Sequence, residues 1–353
     1  MHLTLTGFSL KKTATLTALI VNVSCIQSQP SVDQGGEVLV QFGAKMIGFI
    51  GTVLASMVLI FIMLEVLPGD PALVMLGPDA TPDTLAALRT EMGLDRPVLT
   101  RFFEWILDML RGDFGISYAY GVPVSELILD RLAVTLPLAM IAIVITVVLA
   151  IGLGVFTAIN NHRLRGQIIM ALTQFGIAIP SFWFGLLLIL LFSIHLAWVP
   201  SGGFPGWDEG VGTALESLIL PACALALVQA AILTRVTRSA LLEVLHEDYI
   251  RTARAKGLAR QGVLWRHALQ NALVPVATVM GLQFASLVAG TIVIENVFAL
   301  PGLGRLIFLA VEQRDLVVIR VIVVLLVGMV ILMNYLVDIA YLFIDPRLRR
   351  RPA

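Results

Sequence analysis

Two stretches of this chain, residues 132–161 and 166–207, contain no Asp, Glu, Lys or Arg at all. A helix needs about 20 apolar residues to cross a ~30 Å hydrocarbon core, so each run is long enough to span a bilayer. The rest of the composition agrees. Only 14% of residues are charged and 58% are hydrophobic, with a mean hydropathy of +0.92, whereas soluble domains carry about 25% charged residues. The chain is therefore expected to be an all-α polytopic membrane protein.

Apolar runs and their charged ends give six transmembrane helices, at about 46–67, 132–159, 168–199, 217–234, 272–294 and 317–344. Glu65 lies near the exit of the first. Pro180 is expected to kink the third, Pro221 falls within the fourth, and Pro275 stands in the first turn of the fifth, where a missing N–H costs little. Arg320 and Asp338 lie near the two ends of the sixth. Residues 1–41 are set apart: two lysines precede a modest apolar run and a polar stretch, a layout like that of a signal peptide. They are read as a non-structural extension ahead of a transmembrane domain at 42–353.

Net charge is zero, but its distribution along the chain is uneven. Seven basic residues fall between the fourth and fifth spans (Arg235, Arg238, Arg251, Arg254, Lys256, Arg260 and Arg266) and four more in the tail "DPRLRRR". The segment after the third span carries Asp208, Glu209 and Glu216 and no Lys or Arg. The excess of Lys and Arg in cytoplasmic loops then places both termini and residues 235–271 inside, and the long segment 68–131 outside. Within that segment "TPDTLAALRTEMGL" reads as a helix capped by Thr81 and stopped at Gly93. "VLTRFFEWILDMLRG" reads as an amphipathic helix with Phe102, Trp105, Ile106 and Met109 on one face.

The cytoplasmic stretch is the most informative. From about Ser239 to Lys256 it has no Gly or Pro and is rich in helix formers, and Gly257 offers the left-handed stop that helix ends favour. "RQGVLWRHALQNAL" follows as a second helical stretch. Tyr249, Ile250, Leu258, Leu264 and Trp265 are available to pack. The positive-inside bias alone explains the charge, and anionic headgroups would attract it. Neither explains the length, since loops between helices usually run 2–8 residues. An ordered helix pair of this size implies docking to a partner.

These pieces resemble the permease subunit of binding-protein-dependent ABC importers, in the dipeptide/oligopeptide/nickel branch. The resemblance rests on "DYIRTARAKGL…RHALQNALVP" at 248–275, "LEVLPGDPA" at 64–72, "RGDFGISY", "IPSFWFGLLLILLF", "WVPSGG", "ENVFALPGLGRL" and "LVDIAYLFIDPRLR", all in the branch's order. It implies a bacterial inner-membrane protein that works with two ATP-binding subunits, a second homologous permease and an extracytoplasmic solute-binding protein. It also implies an ATPase-coupling loop containing Asp248, Tyr249, Arg251, Thr252, Ala253, Arg254, Lys256 and Gly257, with Ala253 and Gly257 as its small, close-approach positions. Two departures from the family's general motif stand out: Arg251-Thr252-Ala253 replaces an opening glutamate, and Pro275 follows Gly257 at a distance. The branch transports peptides or, alternatively, nickel or another small solute. A lone ion-coupled carrier or channel is the reading from a different class.

No catalytic residue, cofactor, metal site or nucleic-acid partner is expected, and membrane lipid is the remaining contact. There is no GxxxxGK[ST] phosphate loop. Cys25 and Cys223 give no disulfide or metal spacing, and Cys223 reads as a small buried hydrophobe. Gln174, His195, Gln229, Gln283 and Asn334 are the polar residues within spans, with interhelical hydrogen bonding as their expected role. Arg320 is expected to snorkel to the outer interface. Gly152, Gly154, Gly281 and Gly290 are expected at close helix contacts. No substrate ligand can be named.

Overall fold

In the computed structural model, residues 34–66, 71–77 and 80–344 are described. They form α1 (Gln34–Val66), α2 (Pro71–Leu76), α3 (Pro82–Glu91), α4 (Val98–Arg111), α5 (Val124–Ile159), α6 (Leu164–Ala178), α7 (Ser181–His195), α8 (Val211–Leu245), α9 (Asp248–Ala255), α10 (Arg260–Val297), α11 (Leu303–Glu312) and α12 (Leu316–Ile344). Pairing outside helices is confined, among the described residues, to an isolated bridge between Ile116 and Pro123. Among the described residues five helices are long and apolar enough to cross a membrane, or six if the bent pair of α6 and α7 counts as one span. The chain is an all-α polytopic membrane protein.

From residue 48 onward the described residues form one compact unit. Its centre is the long parallel contact of α5 with α8, against which α10 packs. Small side chains permit that approach. Leu138, Ala139 and Ala142 of α5 meet Leu218, Ala222, Ala224 and Leu225 of α8 in one buried cluster, with Leu287, Ile294 and Phe298. A Cβ at Gly154 would lie 2.6 Å from Thr237, and one at Gly290 would lie 3.0 Å from Leu225. Gly281 is also buried. Gly152 is different: it is exposed, and a Cβ there would meet nothing within 4 Å.

Several boundaries differ from the sequence reading. Helix α1 starts at Gln34, inside the stretch read as an extension, and no proline interrupts it before the span. Residues 1–33, with Cys25, lie outside the described residues, as do Leu67–Asp70, the side chain of Asp338 and the tail from 345.

The third span is no kinked helix but two helices meeting at 106°. Ile179 is extended, as a residue before proline prefers, and Pro180 precedes the first turn of α7. Residues 189–195 wind as π-helix, and the helix stops at His195, short of the expected 199. The fourth span runs on to Leu245 and accommodates Pro221 in its interior. The fifth begins at Arg260, which moves Pro275 from a first turn to a helix interior; a π-helical stretch, Val263–Ala268, precedes it. Helix α11, in what reads as a plain connection after the fifth span, was not expected.

The segment ahead of α5 follows its local signals. Thr81 caps α3, exchanging hydrogen bonds with Thr84, and Gly93 closes it at φ +66. Gly112 closes α4 at φ +80, and Phe102, Trp105, Ile106 and Met109 form its half-buried side.

Candidate functional site

The stretch from Arg235 to Asn271 is not a loop on a flexible stalk. It comprises the last turns of α8, a turn at His246–Glu247, the short helix α9, a second turn at Gly257 and the first turns of α10. One helix from 239 to 256 was the expectation; the chain instead breaks at Glu247, which is extended at φ −65, ψ 147. The cause is Ile250. A straight continuation of α8 would carry this side chain into solvent. The break turns it back into a fully buried position among Val155, Ala240, Leu241, Val263, Leu264 and Ala268. Burying such a side chain contributes about 1.5–3 kcal/mol, enough to decide the direction of a two-turn helix.

With Ile250 fixed inward, the remaining positions sort by the helical period. Asp248, Tyr249, Arg251, Thr252, Arg254, Lys256 and Gly257 are exposed and lie together on one elbow. Arg251 pairs with Asp248 at 3.2 Å, and the Thr252 hydroxyl donates to the Asp248 carbonyl at 3.0 Å. The Asn271 amide donates to the Tyr249 hydroxyl at 2.9 Å, tying α9 to α10. Ala253 departs from the group. It is half-buried and packs against the chain's own cluster.

Gly257 closes the elbow at φ +78, where a side chain is disfavoured, yet a Cβ there would meet nothing within 4 Å. Of the five apolar residues noted in this stretch, Ile250 and Leu264 are buried, whereas Tyr249, Leu258 and Trp265 remain exposed. The elbow is thus a rigid feature presenting basic side chains and three uncovered apolar ones. Such a surface can dock into a groove. The same end carries Arg238, which donates to Asn161, and Arg165, which donates to Asn160 at 2.9 Å.

The polar residues within spans do not form one site. Gln283 of α10 donates to the backbone carbonyl of Gln229 in α8 at 3.3 Å, joining two of the five in one interhelical contact. Gln229 also lines a cavity of about 360 Å³ at the α6–α7 bend, with Ile179, Pro180, Ser181, Ser286 and Gly290. Gln174, His195 and Asn334 are exposed. Arg320 is partly covered, its guanidinium 5.4 Å from the centre of the Phe61 ring. Cys223 is half-buried. No group of three or more His, Cys, Asp or Glu side chains is placed to hold a metal among the described residues.

Sequence reasoning passed over the contacts that fix the opposite end of the bundle. Glu295, in the last turn of α10, is fully buried. Its carboxylate accepts from Thr135 Oγ1 at 2.7 Å and from the backbone N–H groups of Gly304 at 2.7 Å and Arg305 at 3.2 Å. A carboxylate at a helix N-terminus is favoured by the unpaired N–H groups there, and this one holds α11 onto α5 and α10. The glycines of "ENVFALPGLGRL" were the available signal, for a Cβ on Gly302 or Gly304 would collide with the Glu295 carboxylate or the Ile292 backbone. Asp315, also buried, caps α12 and accepts from Ser117 Oγ at 2.6 Å. Glu65 pairs with Arg101.

Residues 150–350 match the family described as binding-protein-dependent transport system inner membrane component, and residues 39–139 match the family describing its N-terminal part. A Brucella abortus protein named as a peptide transport system permease is 44% identical over 83% of this chain and 93% of its own length. The glutathione transport system permease protein GsiC of Salmonella typhi is 40% identical over 86% and 97% respectively. Among solved structures, the inward-facing MetNI methionine ABC transporter superposes with a TM-score of 0.53 at 19% identity, over 62% of this chain and 97% of that one, a likeness of fold. The chain belongs to the binding-protein-dependent transport system inner membrane component family, as a multi-pass permease subunit of the bacterial ABC importer type.

Proposed function

We propose that this chain is the translocation subunit of an importer for peptides. The observation that carries this reading is the near full-length match, at 40–44% identity, to permeases named for peptide and for glutathione transport; glutathione is itself a tripeptide. On this reading the chain pairs with a second permease, receives solute from an extracytoplasmic binding protein and is driven by two ATP-binding subunits. The exposed elbow at 248–258 is where the motor grips. It is anchored by Ile250 and by the Asn271–Tyr249 hydrogen bond, so a push on it is transmitted to α8 and α10 rather than absorbed by a flexible link. The basic residues at that end place it and both termini in the cytoplasm.

The substrate is tested by uptake of labelled dipeptides, tripeptides and nickel into cells lacking the chain and into the same cells carrying it on a plasmid. Restored peptide uptake that depends on ATP is expected. Restored nickel uptake without peptide uptake overturns the peptide assignment. The sidedness is tested by impermeant thiol labelling of single cysteines at 254 and 104, with the second expected to react from outside and the first only after permeabilisation.

A further inference from the structure

Helix α4 is apolar around more than half of its circumference but has only part of that surface covered. Phe102 and Trp105 rest on Phe61 of α1, with ring centres 5.1 and 5.8 Å apart. Met109 packs into the cluster of Val124, Ile128, Leu303 and Leu306. Next to this covered side runs a second stripe along successive turns: Leu99, Phe103, Leu107 and Leu110, exposed by 72, 66, 47 and 79%. Beyond it lies a polar arc of Thr100, Glu104 and Arg111, also exposed. The helix therefore has three sides, one on protein, one polar, and one apolar that the described residues leave exposed.

The height of α4 relative to the bundle points to the occupant. Arg101 is ion-paired with Glu65, and Phe102 and Trp105 touch Phe61. The uncharged apolar run of α1 ends at Glu65, so these contacts pin α4 at the level where that span leaves the hydrocarbon. Near the same end of α1, Leu59, Ile62 and Met63 are exposed too. The α4 stripe lies at the same boundary. A helix with a wide apolar face, a charged face and a position at the headgroup level is one that lies in the interface plane.

We propose that α4 is an interfacial helix, with Leu99, Phe103, Leu107 and Leu110 inserted among the acyl chains of the leaflet where α1 ends. The segment ahead of α5 is then held from two sides, by protein and by lipid. It forms a fixed shelf beside α11 and the Ser117–Asp315 contact. This inference does not depend on which solute the transporter carries.

The test uses the full chain with Cys25 and Cys223 changed to serine, in bacterial membrane vesicles. Single cysteines replace Leu99, Phe103, Leu107 or Leu110, and Thr100, Glu104 or Arg111, and each is labelled with an environment-sensitive fluorophore. Quenching is measured with a phospholipid carrying a nitroxide high on its acyl chain and with aqueous iodide. The expected result is several-fold stronger lipid quenching at the first four positions and the reverse at the other three. Equal iodide quenching at all seven overturns the proposal by leaving the stripe in water. Protection of the stripe from both quenchers overturns it in favour of a protein cover.

Discussion

Glu295 and Thr135 are 160 positions apart in sequence and share a buried hydrogen bond of 2.7 Å that closes one end of the bundle. The Thr135 hydroxyl donates to the carboxylate and accepts from the N–H of Leu303 at 2.9 Å, so one threonine links α5, α10 and α11. All three groups around the carboxylate are donors, which is the arrangement an acceptor-only carboxylate requires. Removing it leaves buried donors unpaired. Glu295→Ala is expected to destabilise the chain by about 3–5 kcal/mol, and Thr135→Val by about 1–3 kcal/mol. Thr135→Ser, which keeps the hydroxyl, should sit near wild type. Thermal unfolding of the detergent-solubilised protein gives the ranking, and equal effects of Val and Ser at 135 would refute the role of the hydroxyl.

A second long-range contact makes its own prediction. Asp315 caps α12 through the Val318 N–H at 3.2 Å and holds Ser117 Oγ and the Ala119 N–H. Asp315→Ala removes a cap, worth about 1 kcal/mol, and frees residues 113–123 from α12. Limited proteolysis should cut this variant within 113–123 at concentrations that leave wild type intact.

The elbow separates fold from coupling. Ile250→Asp buries an unpaired charge in the cluster around Val155 and Leu264, so loss of folded protein is expected. Tyr249→Ala, Leu258→Ala and Trp265→Ala change exposed side chains. They should leave folded yield near wild type while lowering ATP-dependent uptake and the amount of ATP-binding subunit recovered with the chain. Normal recovery and normal uptake in all three would remove the elbow from the docking surface.

Gly257 distinguishes backbone from bulk. Its φ of +78 disfavours most side chains, by about 1–2 kcal/mol for an ordinary residue, while asparagine tolerates that region. The chain itself leaves the space free. If the turn alone matters, Gly257→Asn keeps uptake and Gly257→Ala weakens it. If a partner fills the space, as the coupling assignment requires, both lose uptake and membrane insertion stays normal. Uptake assays beside quantified membrane fractions decide between them.

Much of this was readable from short segments. The Thr81 cap, the stop at Gly93, the amphipathic period of α4 and the crowding of arginines between the fourth and fifth spans each depend on residues within a few turns of one another. Ile250 shows where that reading fails: its neighbours form helix readily, and only a hydrophobic cluster assembled from three other helices turns α9 back at Glu247.

The amino-acid sequence by itself determined that this chain lives in a bilayer, roughly where it crosses, which of its ends is basic, and that an ordered stretch interrupts the spans. Those properties follow from local hydropathy, helical period and charge. The tertiary structure alone decided that the third span breaks through 106° rather than kinks and that Ala253 faces inward. It also decided that Glu295 and Asp315 serve as buried acceptors for groups 160 and 198 residues away. A carboxylate near a span end looks the same in sequence whether it meets water or a distant threonine. The difference arises only when packing removes the water and supplies the donors.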